Sequence, residues 1–177
     1  MNVRAALKNA THDAHERVDA AFAQDLATRD GYGRFLTAQA AALIAVENAL
    51  EQAGSAELVE EWAIHRRSAL LVADLHALGL PVPTPLAAPA YPDEATLAGG
   101  LYVLEGSRMG SAVLRRSVPD SLPTAFLSAK QSIGRWPRFV ASLDPLLYST
   151  QRLDAAVEGA SQTFACFEQA ANRVRSA

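Results

Sequence analysis

The length, composition and charge of the chain place it among ordinary globular proteins. It has 177 residues, half of them hydrophobic and a fifth charged, which is enough for one domain with a sizeable core. The net charge of −3 gives no electrostatic argument for binding nucleic acid, and a single cysteine excludes an internal disulfide. The first residues are too polar for a secretory signal, and no apolar run reaches the ~18–20 residues of a membrane span. We therefore expect a cytoplasmic protein.

Helical periodicity dominates the sequence, and no segment shows the alternation that is typical of a strand. Apolar residues recur every three or four positions, which predicts an all-α, multi-helical bundle forming a single domain over 1–177. The predicted helices cover 3–23, 31–53, 55–78, 93–117, 124–133, 137–147 and 150–175. Gly54 and Gly79 suit the position just after a helix end. Five prolines within 80–92 exclude a helix there.

The first predicted helix carries a polar flank beside its apolar stripe. At 100° per residue, Lys8, His15 and Asp19 fall on that flank. A haem iron takes an imidazole nitrogen as axial ligand, and the other ring nitrogen commonly donates to a carboxylate. Asp19 lies one turn after His15, and Lys8 lies about two turns before it, roughly 10 Å along the axis. From geometry alone, an ordinary boundary histidine and an i, i+3 metal pair with His12 remain alternatives.

Two glycines lie inside the predicted helix 93–117, where each costs roughly 1 kcal/mol relative to alanine. Gly106 and Gly110 are four residues apart and share a face, with Ser111 beside them. Such a bare face suits close packing against another helix. It equally suits a flat macrocycle pressed against the backbone, with a histidine on the opposite side and room for a diatomic ligand. The spacing alone leaves both interpretations open.

Three segments resemble the haem oxygenase family: LKNATHDAHERVD (7–19), YVLEGSRMGSAVL (102–114) and LLVADLHALG (70–79). The similarity extends over about 4–173 and points in particular to the bacterial, biliverdin-producing branch that is often paired with bacteriophytochromes. This resemblance implies the all-α haem oxygenase-like fold, with haem held between the first and the fourth helix. It also implies that haem is both substrate and cofactor, that O2 is consumed, and that biliverdin, carbon monoxide and ferrous iron are formed.

The resemblance further implies which residues bind haem. His15 matches the proximal ligand and would be the residue that binds the metal. Asp19 matches the acidic residue that orients this ligand, and Lys8 matches a basic residue at a propionate. Looser matches assign a propionate contact to Arg138. They assign pocket-lining positions to Tyr102 and Phe164.

On the distal side, the resemblance implies a catalytic face made of two glycines and two serines. Gly106 and Gly110 match the distal glycines, and Ser107 stands where mammalian members have an aspartate that organises distal water. Ser111 departs from the family, which often has a second glycine there. Its hydroxyl could donate to dioxygen or water, or bond back to the backbone. We expect no arginine beside the distal ligand, because Arg108 lies on the far side of the helix.

Partners and alternative functions follow from what the sequence contains and lacks. Without a G-x-G-x-x-G nucleotide fingerprint, electrons are expected from a ferredoxin or a flavin reductase, and a bacteriophytochrome is the expected biliverdin acceptor. Arg4, Lys8 and Arg17 could dock an acidic donor. A non-catalytic haem-binding or interaction protein on the same fold is the alternative function. Other enzymes on this bundle are disfavoured, because Cys166 resembles a core residue and EEWAIH (60–65) gives one poorly spaced pair for a di-iron site.

Overall fold

The computed structural model describes residues 2–59, 62–130 and 133–176. In these ranges all regular structure is helical, which confirms the predicted fold class. The helices are α1 (Val3–Ala10), α2 (His12–Ala21), α3 (Arg29–Gln52), α4 (Ser55–Leu58), α5 (Trp62–His65), α6 (Ser68–Ala77), α7 (Glu94–Arg115), α8 (Arg135–Leu146) and α9 (Thr150–Arg175). Within the described ranges, no helix has the length and apolar character that a membrane crossing requires.

Three long helices form the frame of the bundle. α7 lies along α9, and α3 packs against both α9 and α6. These helices begin close to where the sequence predicts, because local side chains cap them. The side chain of Thr28 accepts the N–H of Gly31, Asp93 and Thr96 form a reciprocal capping box, and Ser149 caps α9. Gly54 and Gly79 follow helix ends with φ of 92° and 66°, as predicted.

The backbones of α7 and α9 touch where they cross. A Cβ atom added to Gly99 would lie 1.9 Å from the carbonyl oxygen of Ala156, and one added to Gly159 would lie 2.0 Å from that of Thr96. Only glycine leaves room for such an approach. This crossing fixes the position of α7 relative to α9.

The prediction of one continuous helix over 3–23 is wrong, because the chain breaks into α1 and α2 at Thr11. The buried Thr11 hydroxyl donates to the carbonyl oxygen of Leu7 at 2.8 Å, and a side chain that bonds back in this way competes with regular helix geometry. α1 contacts both α8 and α9, whereas α2 packs along α9. Lys8 and His15 therefore lie on different helices.

The prediction of one helix over 55–78 is also wrong, since α4, α5 and α6 share that region and residues 60–61 lie outside the described part. α6 begins at Ser68. There, the buried carboxylate of Glu47 on α3 accepts the backbone N–H of Arg67 at 2.7 Å and that of Ser68 at 3.1 Å. A carboxylate at this position satisfies N–H groups that have no partner inside the helix.

The predicted helix 124–133 is wrong for residues 124–130 and 133, which form turns and irregular structure, while residues 131–132 lie outside the described part. The backbone N–H groups of Ala125 and Phe126 donate to the two carboxylate oxygens of Asp74 at 3.0 and 2.9 Å. Asp74 is buried on α6, and a buried carboxylate is costly unless such donors reach it. The pairing fixes this turn against the bundle.

Candidate functional site

A cavity of about 1010 Å³ lies between α2 and α7, with further walls from α1, α3, α8, α9 and the turn at 124–128. Its volume is at the upper end of the usual range for small-molecule sites. All predicted site residues except Arg138 line it: Lys8, His15, Asp19, Tyr102, Gly106, Ser107, Gly110, Ser111 and Phe164. The sequence therefore predicted which helix faces form this cavity.

A small apolar cluster beside the cavity sets the distance between its walls. The cluster joins Ala14 of α2, Val103 of α7, and Ala160 and Phe164 of α9, and all four side chains are buried. Because these side chains are packed together, α2 cannot move towards α7 without overlap. The cluster is separate from the main core, and it holds the two walls of the cavity apart.

His15 presents its imidazole at the α2 wall of the cavity. Its Nδ1 lies 3.1 Å from Oδ2 of Asp19, and both side chains are mostly exposed. A carboxylate can only accept a hydrogen bond, so this contact favours the tautomer with the proton on Nδ1, which leaves Nε2 to bind a metal. The ring of Phe164 meets the imidazole edge to face, with centroids 5.7 Å apart. The ring orientation is thus set from two directions.

The basic residues near the cavity are arranged differently from the prediction. Arg4 and Lys8 of α1 both line the cavity, although the sequence assigned Arg4 only to a docking surface. Arg17 pairs with Glu168 of α9 at 3.2 Å. Arg138 is exposed on α8 and does not line the described cavity. The carboxylates of a ligand would therefore meet Arg4 and Lys8 at the cavity wall.

The two predicted distal glycines differ in their surroundings. A Cβ added to Gly110 would meet no described atom within 4 Å, whereas one added to Gly106 would lie 3.6 Å from the indole of Trp136. Neither glycine faces the backbone of another described helix, so the helix-packing interpretation does not hold for this pair. Tyr102 stands beside Trp136, with ring centroids 5.5 Å apart. Burial raises the pKa of the Tyr102 hydroxyl, against the opposing charge of Arg4, so it stays protonated at neutral pH.

The α7 side of the cavity, the distal wall, includes an arginine that the sequence did not predict. Arg67 lines the cavity, and its two terminal nitrogens donate to Oγ of Ser107 at 2.7 Å and to Oγ of Ser111 at 3.1 Å. The expectation that no arginine stands on this side is therefore wrong. The residue lies directly before α6, within a segment that the local pattern predicted as the interior of a longer helix. The dibasic pair preceding Ser68 is the only sequence signal, and it does not indicate where a guanidinium points.

The guanidinium of Arg67 is fixed from several sides. Glu47 holds its backbone N–H, and the ring of Phe126 lies 5.1 Å from its central carbon. Asp74 fixes the turn that carries this ring. Burial lowers the pKa of Arg67 to about 10, with Arg108 acting in the same direction and Glu47 against it. Arg67 is therefore still charged at neutral pH and gives the distal wall a positive charge.

Arg108 lies away from the cavity, as the helical angle predicts. It is buried and pairs with Glu105 at 3.3 Å and with the backbone carbonyl of His65. Arg135 of α8 makes two further bonds to the Glu105 carboxylate, at 2.7 and 3.1 Å. Burial alone would raise the pKa of Glu105, but Arg135 and Arg108 outweigh it and hold the pKa below its ordinary value. These charges join α7 to α8 and α5 behind the cavity wall.

The alternative sites find little support in the described residues. Cys166 is buried, and burial raises the pKa of its thiol to about 11, so it is not an activated nucleophile. One group of three potential metal ligands occurs in the described part, formed by His12, Asp13 and Glu16, and all three are exposed. It does not include His15. The glutamates of EEWAIH (60–65) lie outside the described residues.

Known proteins resemble this chain in sequence and in fold. No protein-family model matches the chain. The heme oxygenase of Xanthomonas campestris pv. campestris (strain 8004) is 36% identical over 112 residues, which cover 60% of this chain and 67% of that protein.

Two solved structures share the fold. The NO- and CO-bound heme oxygenase from Neisseria meningitidis matches with a TM-score of 0.84 and 24% identity, over 99% of this chain and 93% of that one. The heme oxygenase from Leptospira interrogans matches with a TM-score of 0.75 and 17% identity, over 98% of this chain and 100% of that one. With the sequence relationship above and the cavity between α2 and α7, these findings show that the chain belongs to the haem oxygenase family.

Proposed function

We propose that this protein is an enzyme that binds haem between α2 and α7 and uses O2 to open the ring to biliverdin, carbon monoxide and ferrous iron. The observation that carries this proposal is the pairing of two walls across one cavity. His15, oriented by Asp19, stands on one wall, and the bare face at Gly110 lies on the other. In such an arrangement His15 would hold the iron, and the face without side chains at Gly110 would leave room for a flat macrocycle.

The other residues of the cavity also fit haem. Aromatic and aliphatic side chains dominate its walls: Val18, Phe22, Phe35, Tyr102, Val103, Phe126, Leu127, Trp136, Phe164 and Phe167. An apolar macrocycle binds well in such surroundings, with a few polar groups fixing its orientation. Arg4 and Lys8 would pair with the haem carboxylates. Family resemblance also places Arg138 at a propionate, but Arg4 is better placed in this structure.

On the proximal side, His15 would bind the iron through Nε2. The Asp19 carboxylate, 3.1 Å from Nδ1, would favour a proton on that nitrogen and help to orient the ring. Both side chains are mostly exposed, so water weakens the charge of Asp19 felt by the ring. The carboxylate would therefore add little to the electron donation of the His15 imidazole, which suits attack on the ring better than peroxidase-like chemistry.

On the distal side, the chain supplies hydroxyls and a fixed positive charge. When bound, haem supplies the iron at which dioxygen is activated. Ser107 and Ser111 line the wall at Gly106 and Gly110, and Arg67 donates to both hydroxyls. This charge would stabilise negative charge that develops nearby, and the hydroxyls would move a proton along the wall. Gly110 leaves space for a small ligand beside the backbone.

The proposal extends to the domain, its branch and its partners. We propose that 1–177 forms a single cytoplasmic domain of the bacterial, biliverdin-producing branch, on the basis of the three segments quoted above. Electrons would come from a ferredoxin or a flavin reductase, because the sequence has no G-x-G-x-x-G fingerprint. A bacteriophytochrome would accept the biliverdin. In this proposal Lys8 and Arg4 pair with the haem carboxylates and are not left to dock the electron-donor protein. That protein would instead dock around the exposed rim of the cavity.

The proposal is tested by comparing His15→Ala with His12→Ala in haemin titrations followed by visible absorbance. The two histidines make a matched pair, because each has a side chain that is 61% exposed and lies close to a carboxylate one turn later. We expect wild type and His12→Ala to give the same Soret band, and His15→Ala to lose histidine ligation. With a reductant under air, the Soret band of wild type should decay while biliverdin absorbance appears.

The outcomes separate the parts of the proposal. Equal spectra for wild type and His15→Ala would overturn the assignment of the ligand. A stable Soret band in wild type under reductant and air would overturn the enzyme and leave a haem-binding protein. The absence of any Soret shift in wild type would overturn haem binding altogether.

A further inference from the structure

We propose that the hydroxyl of Ser111 is the direct hydrogen-bond donor to an anionic ligand on the distal side of the haem iron, with Arg67 as its positioning residue. This inference rests on the proposed function, since it requires haem in the cavity. It assigns different roles to the two distal serines: Ser111 donates to the ligand, whereas Ser107 holds Arg67.

The protons of the two serines are held with different strength. The Ser107 hydroxyl donates to the carbonyl oxygen of Leu104 at 2.7 Å, the usual length for such a bond. The Ser111 hydroxyl lies 3.4 Å from the carbonyl oxygen of Ser107, beyond the usual range for an O–H donor. The proton of Ser107 is therefore occupied, whereas that of Ser111 can turn to a better acceptor at little cost.

Arg67 prepares the Ser111 hydroxyl for donation. Its terminal nitrogen donates to Oγ of Ser111 at 3.1 Å, so the lone pairs of this oxygen are engaged by a cation. A hydroxyl that accepts from a cation becomes a stronger donor, because hydrogen bonds in a chain polarise one another. The other terminal nitrogen of Arg67 donates to Oγ of Ser107 at 2.7 Å, and the ring of Phe126 lies 5.1 Å from the central guanidinium carbon. Arg67 is thereby held against α7 and acts through Ser111.

The position of Ser111 also favours this role. It follows Gly110, whose bare face opens to the cavity, and it is 8% exposed, whereas Ser107 is exposed. Water competes less for a donor in a buried position, so each hydrogen bond there is electrostatically stronger. A ligand bound next to Gly110 would find Ser111 as its neighbouring donor.

The test is the affinity of fluoride for the ferric haem complex, measured by visible absorbance in wild type, Ser111→Ala, Ser111→Gly and Ser107→Ala. Fluoride accepts hydrogen bonds strongly and requires no turnover. We expect both hydroxyl-free variants at position 111 to raise the Kd for fluoride by about tenfold, as for a lost bond to a charged acceptor. Ser107→Ala should raise the Kd less than the variants at position 111, because the proton of Ser107 is already bound to Leu104 and its oxygen acts only by holding Arg67.

The comparison of two variants at one position separates the hydroxyl from the shape of the side chain. An equal loss in Ser111→Ala and Ser111→Gly supports the inference. An unchanged Kd in both, with haem still bound, would overturn it and leave the proposed function intact. A larger loss in Ser107→Ala than in the position 111 variants would overturn it as well. Failure of the wild-type protein to bind haemin would overturn both proposals, whereas bound haem that is never degraded would overturn only the enzyme.

Discussion

In the first half of α7 glycines bring two helices into contact, whereas in the second half they leave one wall of the cavity bare. At Gly99, an added Cβ would overlap the carbonyl oxygen of Ala156 at 1.9 Å. At Gly110, it would meet no described atom within 4 Å. The same residue type thus serves packing at one end of a helix and ligand access at the other.

The difference shows why a glycine pattern alone does not indicate its purpose. Both halves of α7 have small residues on one face, and the sequence left helix packing and ligand contact open for Gly106 and Gly110. The packing role belongs to Gly99 and to Gly159 on α9, where two backbones meet. Only the position of the neighbouring helix decides between the two roles, and α9 crosses α7 near its first half.

The strongest test of the packing role is the replacement of Gly99 by alanine. No side-chain rotation can relieve an overlap between a Cβ and a backbone carbonyl, so the helices would have to separate. We expect the free energy of unfolding to fall by about 3 kcal/mol or more, and Gly159→Ala to behave alike. Urea denaturation followed by far-UV circular dichroism measures this. Gly99→Ala with wild-type stability would show that the helices do not meet as described.

The matching test of the access role is Gly110→Ala. Without haem, the added methyl meets no described neighbour, and alanine favours a helix by up to about 1 kcal/mol over glycine. We therefore expect a protein that is more stable without haem. With haem, the methyl would occupy the face on which the macrocycle lies, and haem affinity should fall by about tenfold.

Two titrations decide this second test. Urea denaturation gives the stability of the haem-free protein, and haemin titration gives the affinity. Gly99→Ala is the contrasting variant, because it should lower stability and its added methyl lies outside the cavity lining. If Gly110→Ala bound haemin as tightly as wild type, the Gly110 face would not be the one that haem covers.

The long helices could be predicted from the sequence because their signals are local. Apolar periodicity and capping side chains define α3, α7 and α9 within their own segments. The failures occur where a distant residue decides. Glu47 begins α6 from 20 residues away, and Asp74 bonds to a turn 51 residues later. Such bonds form only after the bundle has assembled, so no local window contains them.

The candidate site divides in the same way. His15, Asp19 and Lys8 follow from helix geometry and family resemblance, and the structure brings all three to the cavity. Arg67 could not be predicted, since its position depends on where α6 begins and on the face of α7 beside it. Arg138 was predicted from loosely matching sequence, and it lies outside the cavity lining. Residues that act across elements need the packed structure to be found.

The smallest predicted effect concerns the crossing of α7 and α9 and comes from Tyr91→Phe. The Tyr91 hydroxyl lies 2.7 Å from Oγ1 of Thr163, which in turn donates to the carbonyl oxygen of Gly159 at the crossing. Thr163 donates its own proton to Gly159, so Tyr91 is the donor in the bond between the two hydroxyls. Removal of the Tyr91 hydroxyl therefore leaves no buried donor unpaired. We expect a loss of about 1 kcal/mol in the free energy of unfolding, as for one neutral hydrogen bond.

Haem affinity should be unchanged in Tyr91→Phe, because neither Tyr91 nor Thr163 lines the described cavity. Tyr148→Phe is the control, since that side chain is 75% exposed and its hydroxyl should contribute little. A change in haem affinity without a loss of stability would mean that the two halves of α7 are coupled. A change at the crossing would then alter the cavity wall. The effects of substitutions at Gly99 and at Gly110 could then no longer be treated as independent.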